Sequence, residues 1–128
     1  MREILFRGRC NEVGKYNGHW IEGHYGEDEG RNEIFFSTKI GIVGYSCEPE
    51  SIGQYTGLTD KNGTKVFGGD IISCGYLCDF FVEYSEEDAE YWANFGDSIG
   101  SLHTYFDPKR ATVIGNIYDN PELLEETE

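Results

Sequence analysis

Four cysteines and three histidines are the residues of this 128-residue chain best suited to hold a metal or act as nucleophiles. Cys74 and Cys78 are separated by three residues. On a strand they share a face about 13 Å apart, because each residue advances the chain by about 3.3 Å. Zinc holds thiolates at about 2.3 Å, so joint ligation demands a turn at Gly75-Tyr-Leu. Cys10, Cys47 and one of His19, His24 or His103 could complete such a site. The paired CxxC spacing of structural zinc sites is missing, and the thiols read as buried, inert side chains. No metal site is expected.

His19 and His24 stand five apart, so a strand turns them to opposite faces. His103 is isolated, and no Cys–His or Ser–His pair emerges. Glu86-Glu87-Asp88 has the composition of an acid–base pair or a Mg²⁺ site, but consecutive acids in a polar turn read as solvated surface. Gly57, Gly63, Gly68 and Gly69 lack the GxxxxGKS/T spacing of a phosphate loop, and no helix follows to receive an anion. Turn geometry accounts for them. No catalytic, cofactor-binding or metal-binding residue is assigned, and no cofactor is expected.

The elements that would position these groups are short strands between glycine-rich turns. Glu3 to Cys10 reads as a strand, Lys15-Tyr-Asn-Gly as a turn and His19 to Tyr25 as the returning strand, a hairpin over residues 3–25. Gly26 to Asn32 reads as a loop and Glu33 to Lys39 as a third strand, with Phe35 and Phe36 on opposite faces. Ile40-Gly-Ile-Val-Gly-Tyr either continues it or forms a strand of its own. Pro49-Glu-Ser-Ile-Gly is a connector with room for one helical turn.

Asp60-Lys-Asn-Gly is the clearest local signal. A type I turn with Gly63 in the left-handed region joins Gln54–Thr59 to Thr64–Phe67 as a bulged hairpin. Gly68-Gly69-Asp70 then turns the chain into Ile71-Ile-Ser-Cys; Phe80–Tyr84 and Ala111–Tyr118 follow as strands. Between Ser85 and Phe106 two readings compete. Ser85 with Asp88 resembles a capping box before a helix ending near Gly96, while Tyr91-Trp-Ala-Asn-Phe reads as a strand. At least one helical turn after Ser85 is the favoured reading. Asn120-Pro-Glu-Leu-Leu fits a capped short helix.

Nine Tyr, eight Phe and two Trp favour half-buried β-surface and can fill a core. The net charge is −14, from 24 acids against 10 bases, a balance that repels phosphate backbones. It is unevenly spread. Arg2, Arg7, Arg9 and Lys15 sit near the start, whereas no Lys or Arg falls between Lys65 and Lys109. Tyr16, Trp20, Tyr25, Tyr55, Tyr76, Tyr91, Trp92 and Tyr105 could stack nucleobases, but such surfaces need a basic groove that the second half lacks. Packing is their more economical use. Nucleic acid is thus a disfavoured partner. The apolar run at the start is too short for a signal peptide and no membrane-spanning stretch occurs, so a cytoplasmic protein with reduced thiols is expected.

Three segments carry a resemblance. Arg2-Glu-Ile-Leu-Phe-Arg-Gly, then Ile52-Gly-Gln-Tyr-Thr-Gly-Leu-Thr-Asp-Lys-Asn-Gly with Phe67-Gly-Gly-Asp-Ile-Ile, and Val113-Ile-Gly-Asn-Ile-Tyr-Asp-Asn-Pro-Glu-Leu-Leu look like the YopX-like family of phage and prophage proteins. Order and spacing match over nearly the full length, least from Gly75 to Arg110. The resemblance implies an all-β protein with an SH3-like, partly open small barrel in the C-terminal part; the residues add an N-terminal β-hairpin extension and one or two short helices, so a mainly β fold is expected. It implies a phage or prophage source in a bacterial host cell. It carries over no activity and no catalytic residues.

The expected organisation is an N-terminal β subdomain over 1–50 and a barrel domain over 51–128, or one continuous unit. The expected role is that of a non-enzymatic accessory protein acting by protein–protein contact, with itself or with a host or phage protein. Two alternatives stand beside it. An acidic nucleic-acid mimic would show its carboxylates as a regular stripe. A nucleic-acid-binding barrel would show a contiguous patch of Arg2, Arg7, Arg9 and Lys15 beside exposed aromatics. An enzyme would need a deep pocket with convergent polar side chains.

Overall fold

The computed structural model describes residues 4–74 and 79–124. The chain is mainly β and divides into two compact units, 1–55 and 56–128.

The first unit holds β1 (Phe6–Arg9), β2 (Trp20–Asp28), β3 (Arg31–Thr38), β4 (Gly41–Ser46), a 3-10 turn (Pro49–Ser51) and the start of β5 (Gly53–Thr59). The strands lie in the order β4-β3-β2-β1, and Gln54 of β5 pairs with Phe6 on the free side of β1. The N-terminal part is therefore a sheet with its own core, larger than the expected hairpin extension. β2 pairs with β1 through Gly23 and with β3 from His24 onward, so one long strand joins two hairpins.

The loop expected from Gly26 to Asn32 is mostly strand. Only Glu29 and Gly30 turn, with φ of 51° and 81°. Two successive positive φ values make a type I′ turn, whose twist matches that of the flanking strands. Polar composition concealed this because the second half of β2 is exposed and needs no apolar residues.

Ile40 to Tyr45 does not continue β3. Thr38 accepts from the Ile40 N–H at 3.2 Å and donates its hydroxyl to the Gly41 carbonyl at 2.8 Å, reversing the chain into β4. Alternation puts Ile34 and Phe36 on the inner face. There Cys10, Ile21, Ile34 and Cys47 are buried, flanked by Phe6, Tyr16, Phe36, Tyr45 and Ile52. Burying a side chain such as Ile34 contributes about 2 kcal/mol.

The second unit begins within β5, which pairs with β6 (Lys65–Phe67) across the Asp60-Lys-Asn-Gly turn. Gly63 has φ of 84°, the left-handed conformation that this turn requires. β7 (Asp70–Ser73), β8 (Phe80–Ser85), β9 (Glu90–Asn94), β10 (Ile99–Ser101) and β11 (Thr112–Asn116) form an antiparallel sheet ordered β10-β9-β8-β7-β11. An order with two ends is an open sheet. Val66, Ile72, Phe80, Val82, Ala93, Leu102 and Ala111 are at its buried centre.

The helical turn favoured after Ser85 does not form. Ser85 and Asp88 do interact, since the Asp88 N–H donates to Ser85 Oγ at 3.2 Å, but they close a hairpin between β8 and β9. Val82 opposite Ala93 and Tyr84 opposite Tyr91 supply long-range contacts that outweigh a local cap. The helical turn lies later, as α1 (Leu102–Tyr105), and a final 3-10 turn covers Pro121–Leu124.

Candidate functional site

Of the described residues singled out for metal or nucleophilic chemistry, Cys10 and Cys47 come together in the first unit, while the histidines lie apart from them. His19 just before β2, His24 on β2 and His103 on α1 are all exposed. Cys74 is buried in the second unit, with its thiol donating to the Tyr105 carbonyl at 3.6 Å. Burial also pushes that thiol's pKa up. Cys78 lies outside the described residues. Cys47 is held up at about 12, first by burial and then by the neighbouring Cys10, so it stays protonated at neutral pH. Among the described residues, no group of three or more His, Cys, Asp or Glu side chains is placed to hold a metal ion.

The basic residues near the start are engaged by their own sheet. The Arg7 guanidinium lies 4.8 Å from the Trp20 ring centre, and Lys15 lies 5.4 Å from that of Tyr16. Arg9 Nε donates to the Gly18 carbonyl at 2.8 Å. Arg2 lies outside the described residues. Of the candidate base-stacking rings, Tyr16 packs against Phe36 and Tyr45, Tyr91 against Tyr84, and Tyr105 against Phe95. Tyr76 is outside the described residues. Glu83, Glu86, Glu87, Asp88 and Glu90 are exposed around the β8–β9 hairpin.

Among the described residues, the longest uncharged edge strand with large exposed apolar side chains is β4. Ile40 at the hairpin tip is 92% exposed and Ile42 on the strand is 74% exposed. The Cys47 N–H donates to the Asn32 carbonyl. Ladder alternation from that bond points the backbone groups of Ile42, Gly44 and Ser46 away from β3. Ser46 is already served: its N–H donates to Glu12 Oε1 at 2.8 Å and its carbonyl accepts from the Asn11 N–H at 3.0 Å. Ile42 and Gly44 therefore present the outward row.

Gly44 is constrained from one side by Phe35, whose ring occupies the space that a Cβ at position 44 would need. The strand Gly-Ile-Val-Gly-Tyr-Ser has no charge and no proline, the devices that commonly protect an exposed edge. These features were in the sequence as an uncharged stretch with glycines at 41 and 44. What they could not reveal was that the stretch is an edge.

Comparison with known proteins places this architecture. The family described as YopX protein matches residues 6–125. The chain belongs to the YopX family. Among solved structures, the fold is similar to the crystal structure of protein EF1440 from Enterococcus faecalis, with a TM-score of 0.60 and 22% identity, covering 98% of this chain and all of that one. At that identity the likeness extends to the fold alone. No curated protein matches. The YopX match begins at the first residue of β1 and so takes in both units, including the β4 edge. No described helix of this YopX-family chain is long and apolar enough to cross a membrane.

Proposed function

We propose that this YopX-family protein is a non-catalytic phage or prophage accessory protein that works in the bacterial cytoplasm by protein–protein contact, associating with a second copy of itself through β4. The single observation that carries the reading is the outward row of Ile42 and Gly44 on an uncharged edge strand. In a chain of net charge −14, a neutral edge is where two copies meet with least repulsion.

The strand is also self-complementary. Antiparallel pairing centred on Val43 sets Ile42 opposite Gly44 of the second copy, and Tyr45 opposite Gly41. Each large side chain then faces a position without one. Ile42 would lie toward the Phe35 ring that packs over Gly44. Two-fold symmetry makes both halves of the contact identical. A six-residue edge is small, so a weak, concentration-dependent dimer is expected.

The test is sedimentation equilibrium over a concentration series, comparing wild type with Ile42→Pro. Proline at this position removes an outward N–H and leaves the bonds to β3 intact. The expected result is a wild-type monomer–dimer equilibrium that Ile42→Pro shifts to monomer with unchanged far-UV circular dichroism. A wild-type protein that stays monomeric at all concentrations, or a proline variant that associates equally well, overturns the reading.

A further inference from the structure

Cys10 directly follows β1 and Cys47 directly follows β4, and the two meet in an isolated antiparallel bridge. The Asn11 N–H donates to the Ser46 carbonyl at 3.0 Å, and the Glu48 N–H donates to the Arg9 carbonyl at 3.0 Å. These two bonds bracket the cysteines and make them a non-hydrogen-bonded pair. Such pairs have Cα atoms about 4.5 Å apart and both side chains on one face. That lies inside the roughly 4.4–6.8 Å window in which a disulfide closes without moving the backbone.

Both residues are free thiols, each 2% exposed, and both pack against Ile21 and Ile34. Gly8 keeps the space above them. A Cβ at Gly8 would stand 3.0 Å from Cys47 Cβ and 3.1 Å from its Sγ, so any larger residue there would displace the thiol.

We propose that Cys10 and Cys47 form a redox modification site that closes to an intramolecular disulfide in the presence of a small disulfide oxidant such as oxidised glutathione. One cysteine thiolate attacks the oxidant, forming a mixed disulfide and releasing one glutathione thiol. The second cysteine thiolate attacks the protein sulfur of that mixed disulfide and releases the other. The two cysteines lose two protons and two electrons, and the oxidant gains them as two thiols. Because Cys47 is held at about 12, few Cys47 thiolates exist at neutral pH, and attack by Cys47 quickens as the pH rises.

The bond joins the end of β1 to the end of β4, and the ring it closes contains β2, β3 and β4. Oxidation would therefore restrain the first unit, including the end of the β4 edge. The inference stands on the cysteine pair alone and does not depend on β4 self-association.

The test is peptide mapping without reduction after treating wild type with oxidised glutathione at mildly alkaline pH, with remaining thiols alkylated on unfolding. Refolding from urea in a glutathione redox buffer, mapped in the same way, removes access to the buried thiols as a variable. The expected result is a Cys10–Cys47 linked peptide replacing both alkylated peptides. It is accompanied by a higher unfolding midpoint that reducing agent reverses and that Cys10→Ala and Cys47→Ala lack. The proposal fails if, after refolding, Cys10 and Cys47 are recovered alkylated, glutathionylated, or linked to Cys74, Cys78 or another chain.

Discussion

Asp60 offers the sharpest test of how the second unit is held. Its side chain is 5% exposed, yet it carries three hydrogen bonds from backbone donors. Oδ1 accepts from the N–H groups of Asn62 and Thr64, each at 2.9 Å, and Oδ2 accepts from the Val113 N–H at 2.9 Å. Two of these bonds close the β5–β6 turn, and the third fastens that turn to β11, far along the chain. Each hydrogen bond to a charged acceptor is worth about 1.5–3 kcal/mol. Asn62 and Thr64 are exposed and can recover water, so Asp60→Ala is expected to cost about 3–5 kcal/mol, below the full sum.

Asp60→Asn keeps one carbonyl oxygen and turns an amide donor toward another donor, so a loss of about 2–3 kcal/mol is expected. Urea unfolding followed by Trp92 fluorescence in a Trp20→Phe background reports the second unit. The pH dependence supplies an independent check. Burial raises the Asp60 pKa, but the Val113, Thr64 and Asn62 N–H groups with Lys61 more than offset it, leaving the carboxyl below the ordinary 3.8. A lowered folded-state pKa means that its stabilisation is complete above the ordinary value and lost as pH falls through the folded one. The gap between wild type and Asp60→Asn should therefore be flat at neutral pH and narrow only below about pH 4. A cost under about 1 kcal/mol for Asp60→Ala with an unchanged m-value would refute the reasoning.

Other consequences are equally open to measurement. A thiol raised from 9.0 to about 12 carries about a thousandth of the usual thiolate near pH 7, so iodoacetamide should modify native Cys47 about a thousandfold more slowly than in urea-unfolded protein; similar rates would show that the site opens freely. Gly44→Ala places a methyl group in the space of the Phe35 ring and should cost about 1–3 kcal/mol in urea unfolding. No loss would mean that the ring swings aside. Ile42→Pro should abolish self-association while sparing the fold, and oxidation should link Cys10 to Cys47, as set out above.

Much of the β structure was legible because its signals are local. The Asp60-Lys-Asn-Gly turn places its acceptor and two of its donors within four residues, so no distant contact was needed to recognise it. The turn from Ser85 to Glu90 reads as helical in the sequence for the converse reason. Ser85 and Asp88 make the local bond that a helix cap would make, and only pairing of β8 with β9 decides that the chain turns back. The exposed half of β2 likewise lacked an apolar alternation, and its strand is set by pairing with β3.

The sequence by itself determined a glycine-punctuated β chain of the YopX family, with an acidic surface and enough aromatic residues to fill its cores. These follow from composition and short-range backbone preference, which act within a few residues. Only the tertiary structure decided that β4 is an edge, that Val113 completes the shell of Asp60, and that Cys10 faces Cys47. Each depends on which strands lie side by side, and strand order is set by burial of whole faces rather than by any residue's neighbours in the chain.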